Sequence, residues 1–99
     1  MPIQIESADD PRVIDYLGLR DRGDGAGRDF FIAESELVVG RLVTSACTAR
    51  SFLLSPSRYE KLKDLVDPLQ VPVYLATRDV MRQIAGFDVH RGVLACLLY

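Results

Sequence analysis

Ninety-nine residues, 48% of them hydrophobic and 26% charged, have the composition of one globular domain and not of a disordered tail. A chain of this length buries roughly 60–70% of its unfolded surface, enough for one core but not two. The net charge of −2 excludes capture of nucleic acid by bulk attraction, and no apolar run reaches the ~18 residues that span a bilayer. The opening MPIQIESADDPR has neither the basic start nor the apolar stretch of a secretory signal, so a cytoplasmic location and no membrane partner are expected.

The charge is unevenly spread. Positions 1–36 hold nine acids against four arginines, whereas positions 37–99 hold eight basic residues against five acids. Ten of the twelve basic residues are arginine, whose planar fork suits phosphates and guanine edges better than the mobile charge of Lys61 or Lys63. Arginine-favouring codon usage explains the same bias equally well.

In chain order, Ile3-Gln4-Ile5 alternates briefly and Ser7-Ala8-Asp9-Asp10-Pro11 reads as a helix start. Asp10 can cap it, and Pro11 suits the first helical position because its missing N–H had no partner to lose. Val13, Ile14 and Leu17 are expected to form its apolar face, and Gly18 to end it. Positions 20–29 carry three glycines and six charges without periodicity, which predicts a loop. Phe30-Phe31-Ile32-Ala33 has strand character and is ended by Glu34. Ser35 then caps a helix whose apolar positions Leu37, Val38, Val39, Leu42, Val43 and Ala46 recur at spacings of three and four.

Arg50-Ser51-Phe52-Leu53-Leu54 predicts a second strand. Ser57 and Glu60 stand at capping-box spacing before a helix with Tyr59, Leu62, Leu65, Val66 and Leu69 on one face, stopping near Asp67-Pro68. Val71–Leu75 predicts a third strand, whose Pro72 favours an edge or first-residue position. Thr77 caps a last helix with Val80, Met81, Ile84 and Ala85 inward, and Gly86 closes it. A turn through Gly92 then leads into a fourth strand within Val93–Tyr99.

Strands alternating with helices at this pitch predict an α/β fold. The expected form is a three-layer α/β/α sandwich of about four strands, with positions 1–99 making one domain. The chain stops inside the apolar run Val93–Tyr99 without a polar tail, which reads as a segment cut from a longer polypeptide. Cys47 and Cys96 lie outside any C-x-x-C pair and His90 is the single histidine, so no metal site is expected and both thiols should be buried.

Three stretches carry a resemblance: Ile5-Glu6-Ser7 with Asp10-Pro11-Arg12-Val13, the central Phe31-Ile32-Ala33-Glu34-Ser35-Glu36, and the closing run Gly86–Ala95. Together they resemble the SpoU (TrmH-like) RNA 2′-O-ribose methyltransferases over essentially the whole chain. The ordered pair F-I-A-E and H-x-G-V-L-A carries most of it. That family usually has Gly where this chain has Ser35, and often Gln where it has Arg91. Ser35 can still cap a helix; Arg91 adds a cation beside His90.

The resemblance implies an N-terminal RNA substrate-binding domain with a fold akin to ribosomal-protein and kink-turn-binding domains. Its partner would be structured ribosomal or transfer RNA. A knotted catalytic domain that binds S-adenosylmethionine and forms the homodimer would follow, and none of its motifs occurs here. The segment itself is therefore expected to hold no cofactor and no catalytic residue.

Candidate RNA-binding residues fall into groups. Arg20, Arg22 and Arg28 flank the glycine-rich loop, where they can order on phosphates or unpaired bases, or pair with Asp21, Asp24 and Asp29 in solvent. Glu34 and Ser35 sit at a predicted helix N-terminus, where capping is the plain role and bordering an RNA groove the functional one. Arg91 is favoured because a turn beside Gly92 admits a close backbone, while His90 serves equally as a turn histidine. Arg12 joins the set, and Arg78 and Arg82 either extend a basic stripe or simply face solvent. The run Gly23–Gly27 precedes a strand instead of joining a strand to a helix, so it is no phosphate loop. Two alternatives stand beside this reading: a protein-interaction module docking by a sheet edge or by the apolar last strand, and a stand-alone RNA binder.

Overall fold

The computed structural model describes residues 2–18, 30–34, 48–89 and 92–98. Among these, five strands form one mixed sheet: β1 (Ile3–Gln4), β2 (Phe30–Glu34), β3 (Thr48–Leu54), β4 (Val73–Leu75) and β5 (Val93–Leu98). Their order is β1-β4-β3-β5-β2. β1, β4 and β3 are parallel, and β5 runs antiparallel to both β3 and β2. Helices α1 (Pro56–Val66) and α2 (Arg78–Ala85) and two 3-10 helices, Pro11–Tyr16 and Asp67–Leu69, complete the described elements.

The α/β class agrees with the sequence pattern, with one strand more than the four expected. The addition is β1, two residues long and recognisable only by its pairing of Ile3 with Tyr74 and Gln4 with Leu75. Both faces of the sheet are covered. On one, Ile32, Leu53, Leu94 and Cys96 pack with Val13 and Tyr16 of the first 3-10 helix and Met81 and Ile84 of α2. On the other, Ala33, Phe52, Leu54, Ala95 and Leu97 pack under Leu62 and Val66 of α1. Residues of β5 alternate between these two cores, which is why the strand reads as an unbroken apolar run.

The helix starts follow local chemistry. Pro56 occupies the first helical position of α1, so its cap is Ser55, whose Oγ accepts from Arg58 N–H at 3.4 Å, and not Ser57. Thr77 caps α2 by accepting from Val80 N–H at 3.2 Å, and Gly86 ends it with φ 87°. Asp10 caps the first helix as expected, but that helix is 3-10. Three residues per turn align Val13 with Tyr16, and both are buried. Ile14 is instead 60% exposed and Leu17 41%, against the inward placement that a 3.6-residue period predicts. The loop expected over 20–29, the helix expected after Ser35, and Cys47 lie outside the described residues.

Candidate functional site

Because β2 and β3 are both antiparallel to β5, the strands β1, β4, β3 and β2 all point one way. Their carboxyl ends and the start of β5 therefore share one rim. The register is direct: Gln4 pairs with Leu75, Leu75 with Leu54, Leu54 with Val93, and Leu94 with Glu34. The two motifs that carry the resemblance, far apart in sequence, thus end as paired neighbours on adjacent strands.

From this rim α1 and α2 leave toward opposite faces, α1 after β3 and α2 after β4. In open α/β sheets such a divergence leaves a crevice at the strand ends, bordered by two helix N-termini. The floor is tightly joined, with Ala76 N–H donating to Leu54 O at 3.1 Å and Ser55 N–H to Gly92 O at 2.9 Å. Gly92 also donates to Val89 O at 3.1 Å, so the positions on either side of His90 and Arg91 are anchored. Its φ is +66°, and an added Cβ would lie 2.6 Å from Ser55 Oγ.

Two arginines border this turn. The Arg58 stem lies 3.4 Å from where a Gly92 Cβ would stand, and Arg78 Nη2 donates to Val89 O at 3.5 Å. Arg58 was not singled out by motif reasoning. The signal was available: strand-to-helix junctions of an α/β sheet open on a common rim, so cations in their first turns converge.

Of the expected RNA-binding residues, Glu34 is exposed at the rim end of β2. Arg12 is elsewhere, on the first 3-10 helix, which packs against α2. Its guanidinium grips Asp10, Nε to Oδ1 at 2.9 Å and Nη2 to Oδ2 at 2.6 Å. Those side-chain hydrogen bonds, and next the Arg12 backbone N–H, hold the Asp10 carboxyl down to about 2. Arg82 pairs with Asp79 along α2, so its charge is locally matched. Arg20, Arg22, Arg28, Ser35, His90 and Arg91 lie outside the described residues.

Other polar groups are structural. Tyr16 OH and Ser51 Oγ share a buried hydrogen bond of 2.7 Å, and burial pushes the phenol well above its ordinary range. Cys96 is buried as expected, and burial pushes its thiol up to about 11, which makes it a poor nucleophile. No described group of His, Cys, Asp and Glu side chains is arranged to hold a metal ion. No described helix is long and apolar enough to cross a membrane. A groove of about 610 Å³, lined by Pro2, Tyr59, Asp67, Gln70, Val71, Pro72 and Val73, lies at the opposite end, where β4 begins.

No protein-family model matches the chain. It is similar to tRNA/rRNA methyltransferases. A protein of Mycobacterium bovis and two of Mycobacterium tuberculosis, each named an uncharacterized tRNA/rRNA methyltransferase, are 38% identical to it over 91 residues. The match covers 88% of this chain and 32% of each relative, so the chain spans about a third of the length of the curated relatives it matches.

Proposed function

We propose that this chain is the RNA-binding part of a SpoU-type tRNA/rRNA methyltransferase. Its rim would hold structured ribosomal or transfer RNA while a domain beyond it methylates a ribose 2′-hydroxyl. The observation that carries this reading is the match along 88% of the chain to proteins of that name. The geometry supports it, because the two resembling motifs end side by side at a rim with arginines in the first turns of its helices. Arg58 and Arg78 supply phosphate donors, and Glu34 can accept from base amino groups while repelling a misplaced phosphate.

S-adenosylmethionine is the methyl donor of that class of enzyme. By the resemblance, the donor and the homodimer contact would belong to a catalytic domain beyond these 99 residues, and no chemical step is assigned to the described ones.

Fluorescence anisotropy of the 99-residue chain with transfer and ribosomal RNA fragments, at two salt concentrations, tests the reading. Salt-sensitive binding that Arg91→Glu weakens by about tenfold is expected. No binding at micromolar concentrations, or binding indifferent to salt and to the substitution, would count against it and favour a protein-docking module.

A further inference from the structure

The pairing of β3 slips at one residue. Ala49 pairs with Leu97 but Ser51 pairs with Cys96, which leaves Arg50 without a partner of its own in β5. A bulge of this kind takes a side chain out of the regular alternation and re-aims it. Ala49 packs on the α1 side of the sheet, whereas Ser51 meets Tyr16 on the other. Arg50 follows Ser51. Its guanidinium carbon stands 5.1 Å from the Phe30 ring centroid, and its Nε lies 3.1 Å from Asp15 Oδ2.

The same side of the sheet holds Arg12 and Tyr74. Tyr74 is half-buried and lies within electrostatic reach of both guanidiniums and of Asp10 and Asp15. Each arginine has its own carboxylate, so the patch is locally neutral and makes a poor trap for phosphate. Stacking has no such requirement: a guanidinium plane backed by an aromatic ring suits the face of any unpaired base. Phe30 is only 7% exposed beneath Arg50, whose side chain is 48% exposed, so the accessible part of the pair is the Arg50 side chain.

We propose that Arg50, carried on this bulge over Phe30, is a stacking platform for an unpaired nucleobase of the bound RNA. It rests on the RNA-binding reading above and adds to it a contact separate from the rim. At roughly 3.3 Å per strand residue, Arg50 lies roughly 13 Å from Leu54 along β3, so one structured RNA can touch both.

The test uses the 99-residue chain and two probes. One is an RNA hairpin with 2-aminopurine in its unpaired loop; the other is the same stem closed as uninterrupted duplex. Arg50→Lys keeps the charge beside Asp15 and removes the plane. It should lower hairpin affinity about tenfold, abolish the change in 2-aminopurine fluorescence on binding, and leave the duplex affinity and the salt slope unchanged. Asp15→Asn keeps the platform and should bind the hairpin at least as well as the unsubstituted chain.

Unchanged hairpin binding by Arg50→Lys overturns the platform while leaving the RNA reading intact. Equal losses on hairpin and duplex, with the 2-aminopurine change retained, make Arg50 a backbone contact and overturn it equally. Parallel losses in Arg50→Lys and Asp15→Asn would mean that the ion pair acts only through the fold. If the unsubstituted chain binds neither probe, the RNA reading falls and the platform with it.

Discussion

Gly92 shows how a single residue fixes the rim. It has φ +66°, and the space a Cβ would need is occupied by Ser55 Oγ, the cap of α1. An alanine there incurs both the left-handed penalty and displacement of the cap. Gly92→Ala should destabilise the chain by about 2–3 kcal/mol, seen as a fall in Tm of about 10 °C or more. Because the collision is with that particular oxygen, the double variant with Ser55→Ala should cost less than the sum of the two single ones. Additive losses in thermal melts would mean that the close approach is not the cause.

Asp10 provides a residue-scale test against pH. Its folded pKa, about 2, lies below its ordinary value of 3.8, so its ionised form is favoured by folding. The resulting stabilisation is fully present above about pH 4 and is lost as pH falls toward 2. Asp10→Asn should remove this dependence, so that the Tm difference between variant and unsubstituted chain narrows across that window. A difference that stays constant from pH 5 to about 2 would contradict the assignment.

At the scale of elements, legibility followed period and length. α2 was readable because Thr77, Met81, Ile84, Ala85 and Gly86 supply cap, stripe and stop within a dozen positions. β5 and the core of β3 were readable as apolar runs. β1 was not, because two residues have no period and its identity lies wholly in its partner β4. The first helix was half-legible. Asp10-Pro11 announced its start, but nothing in Val13-Ile14-Asp15-Tyr16-Leu17 distinguishes three residues per turn from 3.6, so Tyr16 was missed and Ile14 misplaced. The bulge at Arg50 was equally invisible, since a register slip is a property of two strands. For the candidate site, the F-I-A-E and G-V-L-A motifs were legible as strings. Their adjacency came only from the antiparallel placement of β5 between β3 and β2.

At the scale of the whole molecule, the two ends of the sheet carry different charged groups among the described residues, which the net charge of −2 does not show. The rim gathers the first turns of α1 and α2 with Arg58 and Arg78. The opposite end gathers Asp67, with Tyr59 OH donating to its carboxylate at 2.8 Å, beside Asp64 and Glu60, and Lys63 is matched there by Glu60 at 3.3 Å. At the rim Arg58 and Arg78 stand with the carboxylates Glu34 and Asp79, so RNA held there would be recognised by the placement of donors and not by bulk attraction. Both Arg58 and Lys63 lie on α1, so charge reversal at each changes the net charge equally. If RNA is held at the rim, Arg58→Glu should weaken binding about tenfold and reduce the salt slope, whereas Lys63→Glu should change affinity by less than about twofold. Equal losses would mean that binding responds only to net charge, and the rim would then have no special role. A larger loss from Lys63→Glu would move the interface to the opposite end, where the Tyr59–Asp67 groove lies.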